Sequence, residues 1–201
     1  MKILGISCSP RKKGSTVSAL EEVLKGAKEE GAEVELYSVS GKNLNGCISC
    51  YSCTENGECK IEDDMADLFT KITKAEGIVF GTPIYYYGMT SQAKAIIDRS
   101  FSLNRPHNKL KNKVGGIVTT AGSLGMMDAI KDFYFFFAVK QMLPANYVAL
   151  YSGAVDDVKK LEKGIMAARD LGRQMVKLAE KKFKYPEEFP STHFAFGTHT
   201  L

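Results

Sequence analysis

The sequence predicts an α/β fold in which helices wrap a parallel sheet. Two observations carry that expectation. Short apolar runs of strand length alternate along the chain with longer segments whose apolar residues recur every three or four positions. Several of the short runs are apolar throughout, as expected of strands covered on both faces. A third observation is local. Four of the five cysteines fall between positions 47 and 59. Residues 40–62 around them also hold the turn-forming Gly41, Gly46 and Gly57 and read as an inserted loop.

The first strand is Lys2 to Ser7, and a polar loop follows from Cys8 to Ser15. Val17, Leu20, Leu24 and Ala27 then mark one buried stripe of a helix that Gly31 ends. Glu33 to Val39 is a half-polar second strand near a sheet edge. The cysteine loop spans about 40–62. Asp63 and Asp64 open the next helix at the positive end of its dipole, with Met65, Leu68, Phe69 and Ile72 inward. Gly77 to Gly81 is a buried strand, Thr82 to Gly88 a loop, and Ser91 to Phe101 a helix. Val114 to Thr120 is the fourth strand, Gly125 to Met142 a helix, Tyr147 to Leu150 the fifth strand, and Asp156 to Lys182 the last helix. Five strands in this alternation fit the flavodoxin-like doubly wound order 2-1-3-4-5. In such a sheet a ligand sits beyond the carboxyl ends of the strands, so the loops after strands one, three and four are the ones to read. Residues 1–183 are expected to form this domain, with 184–201 a C-terminal extension toward a neighbouring subunit.

Composition excludes several classes. With 201 residues, 44 % hydrophobic and 25 % charged, the chain is an ordinary globular domain. No apolar run approaches the roughly 18 residues of a membrane span. The opening MKILGISCSP is too short for a secretory signal, so a cytoplasmic location is expected. The net charge of +4 is spread along the chain and gives no nucleic-acid patch. His107, His193 and His199 read as surface residues, and no hydrolytic triad is apparent.

The loop after the first strand runs Ser7-Cys8-Ser9-Pro10-Arg11-Lys12-Lys13-Gly14-Ser15-Thr16 straight into a helix. A helix start presents unpaired N–H groups and partial positive charge, which suits an anion. Ser9, Ser15 and Thr16 add hydroxyls and Arg11 a charged fork, with Lys13 and Gly14 completing the cradle. The spacing matches neither a P-loop nor a dinucleotide fingerprint. Ser-x-Ser-Pro-Arg-x-x-Gly-Ser-Thr does resemble the FMN phosphate loop of the NADPH-dependent FMN reductase branch of flavodoxin-like proteins.

After strand three, Pro83-Ile84-Tyr85-Tyr86-Tyr87-Gly88 is a Pro-constrained loop that can offer backbone N–H groups and aromatic faces to a flat ring. It is similar to the same family's Gly-x-Pro-x-Tyr flavin loop. After strand four, Thr119, Ala121 and Gly122 are small enough to let backbone approach a planar ligand.

The cysteines follow Cys47-x-x-Cys50-x-x-Cys53-x5-Cys59. This resembles the C-x2-C-x2-C run of bacterial ferredoxins that holds a [4Fe–4S] cluster, with the fourth ligand close enough for one loop to serve one cluster. A zinc site, which usually pairs two separated knuckles, and unmetallated redox thiols remain the alternatives. Cys8 lies outside the run and reads as a small residue at a strand end.

Both motifs together, over residues 1 to 180, resemble the iron–sulfur flavoproteins. The resemblance implies FMN, a [4Fe–4S] cluster on Cys47, Cys50, Cys53 and Cys59, a ferredoxin-like electron donor and a small-molecule acceptor. It also implies oligomers in which the cluster and the FMN of neighbouring subunits approach each other. Five successive aromatics, Phe133 to Phe137, would cover a helix all round and point the same way, to a homodimer or homotetramer. The alternative function is an NAD(P)H-dependent FMN or quinone-type reductase whose cysteines are structural or bind zinc.

Overall fold

A computed structural model describes residues 1–104, 107–152 and 157–188. Five parallel strands form one sheet in the order β2-β1-β3-β4-β5: β1 (Lys2–Ser7), β2 (Glu33–Ser38), β3 (Gly77–Pro83), β4 (Val114–Ala121) and β5 (Leu143–Tyr151). The helices are α1 (Ser15–Glu29), α2 (Cys53–Asn56), α3 (Met65–Lys74), α4 (Ser91–Arg99), α5 (Met126–Val139) and α6 (Glu162–Glu180). This is the expected doubly wound architecture, with residues 47–59 after β2. Among the described residues, no helix is long and apolar enough to cross a membrane.

The sheet separates two apolar layers. Leu20, Val23 and Ala27 of α1 meet Leu171, Met175 and Val176 of α6 over Ile3, Val79 and Val118. Leu68 and Ile72 of α3, Ile96 of α4 and Phe133 and Phe137 of α5 cover Leu4, Ile6, Phe80 and Ile117 on the other face. The central strands β3 and β4 are buried almost end to end, which is why their sequences carry no alternation. At Gly81 an added Cβ would lie 2.5 Å from Leu20 and 3.0 Å from Thr16, so the missing side chain seats the start of α1 on the sheet.

Several boundaries move, each for a physical reason. β3 runs on through Thr82 and Pro83, because those residues pair with Thr119 and Thr120 of β4. β5 starts at Leu143, four residues before its predicted start. It is an edge strand exposed at Pro144, Asn146, Tyr147 and Tyr151, so its apolar signal is weak. α4 stops at Arg99 and continues as a tighter 3-10 turn over Ser100–Asn104. α5 ends at Val139, since Gln141 adopts a left-handed φ of 51°. A 3-10 turn over Asp157–Lys160 precedes α6.

The aromatic run on α5 is absorbed largely within its own chain. Phe133, Phe136 and Phe137 are buried, and the half-buried Tyr134 donates its hydroxyl to the Ala145 carbonyl oxygen at 2.8 Å. Phe135 alone of the five is exposed, so the run leaves one aromatic face on the surface of the single chain. Of the C-terminal extension, Tyr185 ties back to its own fold through its amide on Asn112 Oδ1 at 2.8 Å. Asp156, His193, His199 and residues 189–201 lie outside the described residues, while His107 is exposed.

Candidate functional site

Two cavities gather the candidate residues. The first, of about 200 Å³, opens at the carboxyl ends of β1, β3 and β4. Ser9, Arg11, Gly14, Ser15 and Thr16 line it from the first loop, Pro83, Ile84 and Tyr85 from the second, and Ala121 and Gly122 from the third. The three loops meet because parallel strands deliver all their βα turns to one edge.

The polar lining is prearranged. Thr16 Oγ1 lies 2.7 Å from Thr120 Oγ1, and Ser15 Oγ lies 2.6 Å from Ser152 Oγ. The Arg11 amide donates to Ser9 Oγ at 3.2 Å, and the Ile84 amide to the Thr120 carbonyl at 2.9 Å. The N-cap of α1 is Gly14, which brings no side-chain acceptor to the helix start. Hydroxyls, a guanidinium and a helix start make a donor set that fits a phosphate, beside backbone from Pro83–Tyr85 and Ala121–Gly122. The residues present therefore fit FMN.

Not every expected residue lines this cavity. Lys13 is exposed elsewhere on the loop. Thr119 points to the opposite face from Thr120, as neighbours on a strand must, and its buried hydroxyl has no partner. Tyr86, Tyr87 and Gly88 lie outside the lining too. Tyr85 and Gly88 pair as a hairpin, which puts Tyr86 and Tyr87 at its tip with φ of 49° and 67°. Tyr86 is 99 % exposed. Two aromatic residues in the left-handed region is a strained arrangement that Asn and Gly usually fill. Thr120 and Ser152 were missed. Thr120 was legible as the alternate strand residue, whereas Ser152 comes from beyond β5 and only the fold brings it in.

The second cavity, of about 330 Å³, is lined by Cys47, Cys50, Cys53 and Cys59 together. The last turn of α4 and the residues after it, Asp98, Arg99, Phe101 and Ser102, supply the other wall. No residue lines both cavities. Ser49 and Tyr51 take left-handed φ of 52° and 57°, which curls the loop around the thiols. The Ser49 amide donates to Cys47 Sγ at 3.4 Å, and hydrogen bonds from Ser52 hold the Cys50 thiol below its usual pKa. Burial and the neighbouring thiols push that of Cys53 up. Four thiols facing one cavity form a donor set suited to iron–sulfur chemistry. Cys8 belongs elsewhere: it packs in the core, where burial pushes its thiol up to about 12.

The loop is clamped to the fold by residues that the sequence reading did not assign to it. Asp63 and Asp64 stand at the start of α3 as expected, where Asp63 Oδ1 accepts from the Met65 amide at 3.1 Å, and both carboxylates also reach back to the loop. Asp64 accepts from the Asn43 amide at 2.8 Å and from Lys42 at 3.1 Å. Asp63 accepts from the Asn45 amide at 2.8 Å and pairs with Arg99, the two side chains being 0 % and 1 % exposed. Burial alone would raise the Asp63 carboxyl. Arg99 and the Asn45 and Met65 amides outweigh it and hold the carboxyl below the ordinary Asp range. Arg99 was read only as one position of an amphipathic helix; a cation among inward-facing apolar residues was the available signal.

Comparison with known proteins agrees with this geometry. Residues 1–168 match the family model described as NADPH-dependent FMN reductase. An iron-sulfur flavoprotein of Methanocaldococcus jannaschii is 38 % identical over 90 % of this chain and 100 % of its own length. One from Archaeoglobus fulgidus is 32 % identical over 89 % of this chain and 97 % of its own. Among solved structures, RosB with a bound 8-demethyl-8-formylriboflavin-5'-phosphate superposes with a TM-score of 0.75, covering 94 % of this chain and 81 % of that one. At 18 % identity that likeness speaks for the fold alone. Two cavities on a five-stranded 2-1-3-4-5 sheet, one lined by hydroxyls and one by four thiols, thus belong to a chain that is a member of the iron–sulfur flavoproteins within the NADPH-dependent FMN reductase family.

Proposed function

We propose that this chain is a redox protein that passes electrons between a [4Fe–4S] cluster on Cys47, Cys50, Cys53 and Cys59 and an FMN in the cavity at the sheet edge. The observation that carries the reading is the convergence of all four thiols on one cavity, apart from the hydroxyl-lined one. A zinc ion would need four sulfurs about 2.3 Å from a single point. The wider thiol-lined cavity suits a larger body with a thiolate at each corner. When bound, FMN exchanges one or two electrons and a [4Fe–4S] cluster one at a time, while the protein sets their positions and potentials.

The chain's own residues divide the work. Arg11, Ser9 and the α1 start hold the phosphate, Pro83–Tyr85 and Ala121–Gly122 flank the ring, and the clamped loop holds the cluster. The donor is a ferredoxin-like one-electron carrier and the acceptor a small molecule. The working unit is a homodimer or homotetramer. Tyr86, Tyr87, Leu124, Met127 and Phe135 are exposed apolar surface that a second copy would cover.

Protein purified without oxygen should contain four iron, four labile sulfide and one FMN per chain, by metal analysis, sulfide assay and absorbance. Zinc in place of iron and sulfide would sink the reading. Within the flavin cavity, Arg11→Ala removes a charged contact and should weaken FMN binding by about tenfold to a hundredfold in a fluorescence titration of the apoprotein. Lys13→Ala, outside the lining, should change it by less than about threefold, the scale of an exposed charge.

A further inference from the structure

We infer that Arg99 raises the reduction potential of the group held at the thiol cavity, while also fixing the position of Cys59. The inference deepens the iron–sulfur reading above and rests on it.

Arg99 is an arginine at the end of a helix, yet it is only 2 % exposed. Its terminal nitrogens make four contacts, and all of them reach the cysteine loop or its base. Nη1 donates to the Asn45 carbonyl at 3.2 Å and to the Asp63 carboxylate. Nη2 donates to the Ile61 carbonyl at 3.1 Å and to Cys59 Sγ at 3.4 Å. One guanidinium thus grips the chain on both sides of the cysteine run and touches one of the four sulfurs. Because Arg99 belongs to α4, whose Ile96 is in the core, the loop cannot dock without setting a positive charge against Cys59.

That charge is fixed. A guanidinium stays protonated at any pH the protein survives, so it cannot adjust by losing its proton. Adding one electron to the site adds one negative charge, with no proton transfer required. A buried cation donating an N–H to a ligand sulfur stabilises that extra charge, and hydrogen bonds to sulfur and net charge are known levers on such potentials. Asp63 offsets part of the effect from the far side of the guanidinium. A residue serving only as a clamp would change loop docking and iron retention but not the potential of a cluster that remains in place.

The test is a potentiometric titration of anaerobically purified full-length protein, with electrons supplied by an electrode through mediator dyes. The reduced cluster is followed by electron paramagnetic resonance and FMN by absorbance. In Arg99→Gln the cluster midpoint should fall by at least a tenfold change in the reduced-to-oxidised ratio at fixed potential, which is 59 mV for one electron. The FMN midpoint should stay put. Arg99→Lys, which keeps the charge, should recover at least half of that shift. Asp63→Asn, which strips the guanidinium of its counter-charge, should move the midpoint upward. Opposite signs in Arg99→Gln and Asp63→Asn are what a clamp cannot produce. If Arg99→Gln fails to hold iron, the upward shift in Asp63→Asn and the near-wild-type midpoint of Arg99→Lys decide the matter. A wild-type midpoint in iron-loaded Arg99→Gln or Asp63→Asn, or a shift of the same sign in the two, would overturn the inference. Wild-type protein lacking iron, sulfide and the cluster signal would instead overturn the iron–sulfur reading.

Discussion

Cys50→Ala should strip the protein of iron and labile sulfide and leave one FMN per chain. Cys50 is an exposed residue of the loop and supports no core contact, so its loss should not disturb the sheet. It does line the thiol cavity with Cys47, Cys53 and Cys59, and a cluster with three thiolates and one open corner is readily lost. We expect iron and sulfide to drop below about a tenth of the wild-type content, as for removal of one of four essential ligands. FMN should persist because the two cavities have no lining residue in common. The anchors of the loop, Asp63 and Asp64 at the start of α3 and Arg99 at the end of α4, are not among the residues that line the flavin cavity. Metal analysis and the flavin absorbance of the same sample read both quantities. Simultaneous loss of FMN would mean that the loop props the flavin cavity.

Much of this was legible in the sequence because the relevant signals are local. The βα turn after β1 carries its hydroxyls, Arg11 and Gly14 within eight residues, and the four cysteines lie within thirteen. Strand and helix order followed from runs such as Val114 to Thr120, whose burial on both faces leaves no polar position to obscure them. What stayed hidden depends on partners far apart in the chain. Ser152 reaches Ser15 across 137 positions, and Arg99 reaches Asp63 across 36. A propensity argument places Asp63 at the helix start, where it does accept from the Met65 amide, but gives no sign of the buried guanidinium it also pairs with. Thr119 and Thr120 show the same limit on a smaller scale. Both are small polar residues at a strand end, and only the pleat decides that Thr120 meets the cavity while Thr119 faces the core. The five aromatics of α5 show how little composition says about burial. Composition counts them equally, whereas Phe133, Phe136 and Phe137 find room against Phe80 in the layer under the sheet.

Gly172→Leu should unfold the protein well below its wild-type midpoint and release FMN. On α6, a Cβ at Gly172 would lie 1.9 Å from the Val23 carbonyl oxygen of α1 and 2.7 Å from the Ala27 amide nitrogen. The contact is reciprocal: a Cβ at Gly26 of α1 would lie 2.0 Å from the Arg169 carbonyl oxygen of α6. These obstacles are backbone, which has no rotamer to escape into, so the two helices must move apart. Moving apart loosens the layer that Leu20, Val23 and Ala27 share with Leu171, Met175 and Val176. The flanking pairs Arg169–Glu22 and Lys177–Glu30 bridge the same helices, but exposed ion pairs contribute at most about 1 kcal/mol each and cannot hold the interface closed. Overpacking usually costs about 1–3 kcal/mol, and a clash with rigid backbone belongs at or above the top of that range. A loss of about 3 kcal/mol corresponds to a fall in Tm of about 6–12 °C for a domain of this size. The functional consequence is directional. The first turn of α1 lines the flavin cavity, so FMN affinity should fall with stability. The cysteine loop is clamped on α3 and α4, across the sheet from α6, and should keep its iron under conditions where the variant is folded. Thermal unfolding followed by circular dichroism, with flavin fluorescence and iron content on the same protein, separates these effects. An unchanged Tm would show that α1 and α6 do not touch through their glycines.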